Sequence, residues 1–122
     1  MNNTPQSMNY IQIEKHGDPE VLKMHSMPVP EPGPGEVLIK VAAAGVNRPD
    51  VMQRKGLYPP PPGATDVPGL EVSGTVVSVG QNVSEPPINS EVCALVTCGG
   101  YAEYCIAAAS ICLPVPEKIS LV

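Results

Sequence analysis

The sequence predicts an all-β domain with one short helix, and three observations support this fold class. Sixteen prolines and eleven glycines occur in only 122 residues, so turns divide the chain into short segments. About seven of these segments have the apolar content or alternation of strands, and one has helix signals. The chain has no Trp, no Phe and four Tyr, so its core must be aliphatic. Many short strands with few helices are typical of a sandwich or a barrel.

Seven segments are predicted as strands: residues 9–14, 21–27, 36–46, 70–79, 91–97, 100–107 and 111–115. The strongest is 36–46, where Val37, Ile39 and Val41 share one face and Lys40 lies on the other. Within 70–79, Gly74 predicts a bulge or a close approach of another backbone. The Cys-Gly-Gly segment at 98–100 predicts a tight turn that links two strands.

Residues 47–55 are predicted as the helix. Asn47 is a suitable N-cap, Pro49 fits the first turn, Asp50 stands three residues after the cap, and Gly56 can end the helix. A helix of under three turns is not stable alone and must pack on the rest of the domain.

The remaining segments are predicted as connectors. Residues 28–35 have a proline at every second position up to 34 and form an extended link, because proline cannot donate a backbone hydrogen bond. Residues 57–66 form a proline-rich loop. Residues 1–7 are polar and are expected to be a flexible tail, which leaves residues 8–122 as the domain.

Charge and cysteine spacing argue against several classes of protein. The net charge of −5 and the lack of a Lys/Arg cluster argue against a nucleic-acid partner. The sequence contains no run of about 18 apolar residues, so it predicts no membrane-spanning helix. No signal peptide is recognisable in residues 1–12. Cysteines 93, 98, 105 and 112 follow the spacing C-x4-C-x6-C-x6-C, without the close pairs of structural zinc sites, which predicts free thiols in a cytosolic protein.

Several motifs carry a family resemblance. Residues 28–47 read PVPEPGPGEVLIKVAAAGVN, residues 67–71 read VPGLE, residues 74–80 read GTVVSVG and residues 99–104 read GGYAEY. This order resembles the substrate-side domain of medium-chain dehydrogenase/reductases over residues 9–119. The resemblance implies a GroES-like fold, a partly open β-barrel. One departure, Asn-Ser at 89–90 in place of the usual Gly-Asp, concerns a turn.

Two positions point to one branch of that superfamily. Where its zinc-dependent alcohol dehydrogenases carry a Cys ligand and a His ligand, this chain has Asn47 and Leu70, and neither side chain is a usual zinc ligand. The resemblance therefore implies the zinc-free, NADPH-dependent quinone oxidoreductases. In such enzymes a hydride passes from NADPH to a quinone or an activated enone.

The resemblance also implies a set of site residues. Asn47 and Tyr58 are the expected catalytic residues, and Asp50, Gln53 and Glu71 are expected to join them in the substrate and cofactor cleft. Structural roles compete with these: Asn47 and Asp50 can simply cap the helix, and Glu71 can simply hold the architecture. Tyr58 can be a packed aromatic or, with the Pro59-x-x-Pro62 pattern that follows it, a ligand for an aromatic groove. The helix residues Arg48, Gln53 and Arg54 are expected to form a mostly solvated face, with Gln53 the one most suited to point inward.

The sequence lacks a dinucleotide-binding fingerprint and any alternation of strands and helices, so NADPH would be bound mainly by a Rossmann domain outside these residues. We therefore expect the chain to be an N-terminal fragment of a cytoplasmic homodimeric enzyme, inactive alone, that binds no metal. Its partner would be a small quinone or enone, with no nucleic acid and no membrane. The alternatives are a non-catalytic β-barrel module similar to a co-chaperonin, and a zinc reductase with other ligands.

Overall fold

The computed structural model describes residues 4–122, and within them the chain forms seven strands, one α-helix and two short 3-10 turns. The strands are β1 (Ser7–Ile13), β2 (Leu22–Pro28), β3 (Glu36–Ala44), β4 (Glu71–Val79), β5 (Glu91–Leu95), β6 (Tyr104–Ala108) and β7 (Leu113–Pro114). Helix α1 spans Arg48–Arg54, and the 3-10 turns span Pro19–Val21 and Ala109–Ile111. The predicted all-β class with one helix is confirmed. No helix in residues 4–122 is long and apolar enough to cross a membrane.

The strands form two antiparallel sheets. Strands β1 and β2 make a hairpin, and the other five pair in the order β6-β3-β4-β5-β7. Strand β1 is tied to the loop that leads into strand β6 by a bridge from Tyr10 to Ala102 and by the Ile11 N–H, which donates to the Tyr101 carbonyl at 2.9 Å.

The chain connectivity requires the larger sheet to be rolled. Strands β6 and β7 lie at opposite ends of the sheet, yet only residues 109–112 separate them. Four strand spacings in a flat sheet would measure about 19 Å. The connector cannot reach so far, because most of it is a 3-10 turn that rises only about 2 Å per residue. The two edges do not pair with each other, so the barrel is partly open.

Strand β3 shows why the core forms where it does. Val37 and Ile39 are fully buried in the main aliphatic cluster, while Leu38 faces a second, smaller cluster with Met8. The predicted face of Val37, Ile39 and Val41 is therefore confirmed, with Val41 at its less buried end. Lys40 is exposed, as its polar side chain requires.

Glycines mark the tight points of this fold. A Cβ at Gly74 would lie 2.1 Å from the Lys40 carbonyl oxygen, so the predicted close approach of backbones is confirmed. Gly56 has φ +83° and follows the C-cap residue Lys55, as predicted for the end of helix α1.

Two sequence predictions need adjustment. Residues 98–100 do turn, with Gly99 at φ +102°, but strands β5 and β6 on either side of them are not neighbours: β5 pairs with β4 and β7, and β6 pairs with β3.

Strand β1 already begins at Ser7, and the Gln6 carbonyl accepts a hydrogen bond from the Val29 N–H at 2.9 Å. Two residues of the expected tail are thus held by the hairpin, and residues 1–3 lie outside the described residues.

Candidate active site

Asn47 occupies the N-cap of helix α1, shortly after strand β3, with extended backbone angles of φ −125° and ψ 160°. Its N–H donates to Asp50 Oδ2 at 3.0 Å, and its backbone carbonyl accepts the Asp50 N–H at 3.0 Å. The predicted cap position is confirmed. Because the Asn47 backbone and the Asp50 carboxylate fix the start of the helix, the Asn47 side chain can bond elsewhere.

Glu71, the first residue of strand β4, is the partner of that side chain. Asn47 Nδ2 donates to Glu71 Oε1 at 3.0 Å. The segment that follows strand β3 is held to strand β4 beside the pair, where the Gly45 N–H donates to the Glu71 carbonyl at 3.1 Å. A Cβ at Gly45 would lie 1.9 Å from Glu71 Oε1, so the carboxylate occupies space that only a glycine leaves open. The fold thus brings Asn47 and Glu71 together, as expected.

Asp50 is the centre of a second group of hydrogen bonds. It is only 5% exposed, and besides the Asn47 N–H it accepts bonds from Tyr101 Oη at 2.8 Å and from the Gly69 N–H at 3.2 Å. These partners come from helix α1, from the segment before strand β4 and from the loop before strand β6. One carboxylate therefore joins three parts of the chain that meet at the candidate site.

Tyr101 is a site residue that sequence reasoning missed. Burial, followed by the hydrogen bond to Asp50 and the charge of that carboxylate, raises the pKa of Tyr101 well above its ordinary value. Tyr101 lies in the GGYAEY motif that contributes to the family resemblance, and this motif was the available signal. Gly69 makes room for it, since a Cβ there would lie 2.6 Å from the Tyr101 backbone nitrogen.

The helix side chains are more buried than the sequence suggested. Gln53 points inward, and its Nε2 donates to the Asp66 backbone carbonyl at 3.0 Å, which ties helix α1 to the proline-rich loop. The expectation of a solvated Arg54 is wrong: it is 9% exposed, and its backbone carbonyl accepts a hydrogen bond from the Gly17 N–H at 3.0 Å. Arg48 is exposed, as expected.

Tyr58 lies apart from these hydrogen bonds. It is 44% exposed, and within residues 4–122 its phenol has no hydrogen-bond partner. The neighbouring Leu57 and the residue before the helix cap, Val46, are also exposed apolar side chains. Of the five expected site residues, the structure connects Asn47, Asp50 and Glu71 through hydrogen bonds, joins Gln53 to the adjacent loop, and leaves Tyr58 at the surface.

Asn47 and Leu70, the two residues that the resemblance places at zinc-ligand positions, both make hydrogen bonds within the domain. The Asn47 amide nitrogen is directed at Glu71, and Leu70 contributes its backbone carbonyl to the Val96 N–H at 2.7 Å. Across the described residues, no three His, Cys, Asp or Glu side chains converge as a set of metal ligands.

The four cysteines are free thiols, as predicted. Cys105 belongs to the main core cluster, where burial, assisted by the nearby Cys112, raises the pKa of its thiol to about 12. Burial also raises the pKa of Cys98, and the carboxylates of Asp50 and Asp66 add to that effect. A raised pKa lowers the thiolate fraction, so these thiols are poor nucleophiles and act as packing residues.

A groove of about 630 Å³ is lined by other residues of the domain. It runs between the hairpin, the proline-rich loop and strand β6, and its lining includes Met8, Pro62, Cys98 and Ile106. None of the five expected site residues lines it, so it does not enlarge the candidate site.

Comparison with known proteins places this geometry in a family. Residues 33–117 match the model of the alcohol dehydrogenase GroES-like domain. The chain belongs to this family. The match spans strand β3, helix α1 and strands β4 to β7, and thus contains every expected site residue.

Several relatives are quinone oxidoreductases that are longer than this chain. A quinone oxidoreductase of Sus scrofa is 41% identical over 114 residues, which are 92% of this chain and 35% of that protein. The solved quinone oxidoreductase of Coxiella burnetii superposes with a TM-score of 0.84 at 30% identity, over 95% of this chain and 39% of that one. The resemblance to the quinone oxidoreductases of the medium-chain dehydrogenase/reductases is thereby confirmed, and the chain spans about a third of the length of the relatives it matches.

Two further structures share the fold. The human synaptic vesicle membrane protein VAT-1 homolog-like protein superposes with a TM-score of 0.87 at 31% identity, over 94% of this chain and 37% of that one. A mycobacterial protein solved in complex with NADPH gives a TM-score of 0.78 at 37% identity, over 93% of this chain and 34% of that one.

Proposed function

We propose that this chain is the substrate-side domain of a zinc-independent, NADPH-dependent quinone oxidoreductase. The whole protein would reduce a quinone or an activated enone. It would work as a homodimer in the cytoplasm, on small molecules and without nucleic-acid or membrane partners. The family membership supports the oxidoreductase class, and the residues of the site support the zinc-independent part of this proposal.

The observation that carries the proposal is the pairing of Asn47 with Glu71. At the position of a zinc-ligating thiolate, an amide donates from Nδ2 to the carboxylate that follows the Pro-Gly-Leu turn, at 3.0 Å. Leu70 offers an alkyl side chain at the second ligand position. Zinc sites in proteins are built from thiolates, imidazoles and carboxylates, so this donor set fits a site that works by hydrogen bonding.

The exposed groups of the site fit the reacting end of NADPH. The part-buried Asn47 amide directly follows the exposed apolar Val46, and the unpaired Tyr58 phenol directly follows the exposed apolar Leu57, so polar and apolar groups alternate at both ends of helix α1. A planar ring with polar substituents suits such a mixed surface. When bound, NADPH would supply the hydride.

The residues of this chain would position the reactants and exclude water. Asn47 would hold a polar group of the cofactor or the substrate, and Tyr58 would donate its phenol proton in a hydrogen bond to the substrate oxygen. Asp50 and Gln53 are buried, so they would support helix α1 from behind. The second wall of the cleft, and most of the affinity for NADPH, would come from residues outside this chain.

Exposed apolar side chains support self-association of this chain. Leu95 and Leu113, on the adjacent strands β5 and β7, are 70% and 63% exposed. Apolar groups of neighbouring strands on one surface favour contact with another protein surface. We therefore expect the 122-residue chain to form dimers as its concentration rises, which sedimentation over a hundredfold range of concentration would measure.

The proposed function is tested on the full-length protein that contains this domain. NADPH oxidation is followed with a panel of quinones, before and after exhaustive dialysis against a chelator, together with the zinc content. We expect quinone-dependent oxidation that survives dialysis in zinc-free protein. Asn47→Ala should lower kcat/KM, whereas Gln81→Ala, which changes an exposed turn residue, should not. Turnover that disappears on dialysis and returns with zinc would contradict the proposal.

A further inference from the structure

We infer that Glu71 is a positioning residue that fixes the Asn47 side chain with its oxygen, Oδ1, as the group offered to a ligand. The site would then recognise a hydrogen-bond donor through Asn47, namely a ribose hydroxyl of NADPH, and would not use Asn47 to bind the quinone oxygen. This inference rests on the proposed function and makes it more specific.

The two ends of the Asn47 amide have opposite hydrogen-bonding character. A carboxylate only accepts hydrogen bonds, so the end of the amide that lies 3.0 Å from Glu71 Oε1 must be the NH2 group. A rotation of the amide by half a turn would place Oδ1 against the carboxylate, with two acceptors facing each other and no proton between them. Glu71 therefore determines which end of the amide faces which way.

Asn47 Oδ1 keeps room for a further hydrogen bond. Asn47 and Asp50 form a capping box, in which the Asp50 N–H faces the Asn47 side chain and donates to the Asn47 backbone carbonyl at 3.0 Å. An amide oxygen has two lone pairs, so sharing the Asp50 N–H would still leave one of them open. Because Asn47 is only partly buried, this acceptor can meet a ligand at the start of the helix.

The two candidate ligands differ in what they can offer Asn47. A quinone carries only acceptor oxygens, and these cannot pair with Oδ1. A quinone oxygen bound at Nδ2 would lie beside the Glu71 carboxylate, and the negative charge that this oxygen gains on reduction would be repelled. A ribose hydroxyl donates to Oδ1 without either conflict. The substrate oxygen is then left to another donor, and the unpaired phenol of Tyr58 is suited to that role.

Gly45 provides an independent way to disturb Glu71. A methyl group at this position would lie 1.9 Å from Oε1 and 2.5 Å from Cδ of Glu71, so Gly45→Ala must displace the carboxylate while its charge stays in the protein. Glu71→Gln keeps the shape but offers both a donor and an acceptor, so it permits both orientations of Asn47. Glu91→Gln is the matched control, because Glu91 is also the first residue of a strand and is exposed.

The first experiment measures the Asn47 amide in the 122-residue chain. The two Nδ2 proton resonances are assigned by their loss in Asn47→Asp, and backbone resonances of strands β3 and β4 report whether each variant is folded. We expect one Asn47 proton to be shifted downfield in the wild type, and this shift to be lost in Gly45→Ala, reduced in Glu71→Gln and kept in Glu91→Gln. The same Asn47 resonances in all four proteins would overturn the inference.

The second experiment measures kinetics in the full-length protein. If Asn47 Oδ1 binds the cofactor, Glu71→Gln should raise the KM for NADPH roughly tenfold and leave the KM for the quinone nearly unchanged. A rise in the quinone KM alone would overturn the assignment of the ligand. If the wild type does not oxidise NADPH, the proposed function fails, whereas the resonance experiment still decides whether Glu71 orients Asn47.

Discussion

The carboxylate of Asp50 should be worth more to the stability of this domain than any other charged group of the site. It accepts three hydrogen bonds at 5% exposure: Oδ2 from the Asn47 N–H and from Tyr101 Oη, and Oδ1 from the Gly69 N–H. Asp50→Asn keeps the size of the side chain but replaces one of the two oxygens by an NH2 group. Whichever way the new amide turns, at least one buried donor then faces another donor.

The expected loss follows from the cost of these changes. A buried donor without a partner costs about 1–3 kcal/mol, and the bonds that remain lose the assistance of a charge, at about 1 kcal/mol in total. We therefore expect Asp50→Asn to lower the free energy of unfolding by about 3 kcal/mol, against a total of about 5–15 kcal/mol for an ordinary domain. Tyr101→Phe removes a single bond and should cost about 1–2 kcal/mol.

The assay is urea-induced unfolding of the 122-residue chain at neutral pH, followed by circular dichroism. Asp66→Asn is the matched control, since it removes the same charge from an exposed residue whose backbone carbonyl, rather than its carboxylate, bonds to Gln53. In the double variant Asp50→Asn/Tyr101→Phe, the total loss of unfolding free energy should be smaller than the sum of the two single losses by about 1 kcal/mol or more. An Asp50→Asn variant as stable as Asp66→Asn, or two strictly additive losses, would refute this role of Asp50.

Three further predictions concern other parts of the chain. Gly69→Ala should prevent folding or lower the free energy of unfolding by at least about 3 kcal/mol, because φ is +106° and the new Cβ would lie 2.6 Å from a Tyr101 backbone atom. Thermal unfolding measures this loss, and a melting temperature like that of the wild type would contradict the prediction. Because the pKa of Cys105 is raised from 9.0 to about 12, the folded state keeps a proton that the unfolded state loses, so the free energy of unfolding should fall as pH rises above 9.0. Urea titrations across that pH range should show a smaller fall in Cys105→Ala, and the same dependence on pH in both proteins would count against this prediction. Tyr58→Phe should leave the free energy of unfolding unchanged, since the phenol has no hydrogen-bond partner in residues 4–122. The same variant should lower turnover of the full-length protein by roughly 10- to 100-fold, and unchanged kinetics would make Tyr58 a surface residue only.

Features that depend on neighbouring residues are predicted well from the sequence. The predicted bounds of strand β3 and helix α1 agree with the structure to within two residues, because alternation of aliphatic residues, an N-cap and a terminal glycine are local signals. The close approach at Gly74 is also predictable, since a glycine inside an apolar strand gives up side-chain packing and is favoured where a neighbouring backbone leaves no room for a Cβ.

Features that depend on distant contacts could not be predicted in this way. Tyr101 lies 51 residues from Asp50, and no spacing rule connects a loop phenol with a helix carboxylate across that distance. The hydrogen bond from the Gly17 N–H to the Arg54 carbonyl likewise joins distant parts of the chain. The turn at 98–100 has the composition of a hairpin, yet strands β5 and β6 are not neighbours, because β5 pairs with β4 and β7 while β6 pairs with β3.

The hydrogen bonds divide the candidate site into a supporting part and a part that can meet a ligand. Both carboxylate oxygens of Asp50 are engaged within the domain, and its burial keeps it from direct contact with a substrate. Asn47 and Tyr58, in contrast, keep polar atoms that can still bond at the surface. Substitutions of Asp50 should therefore change stability and activity together, whereas substitutions of Tyr58 should change activity alone. The same division explains why the amide of Asn47 needs Glu71: a polar side chain with a free end is useful to a ligand only when its other end is held in one orientation.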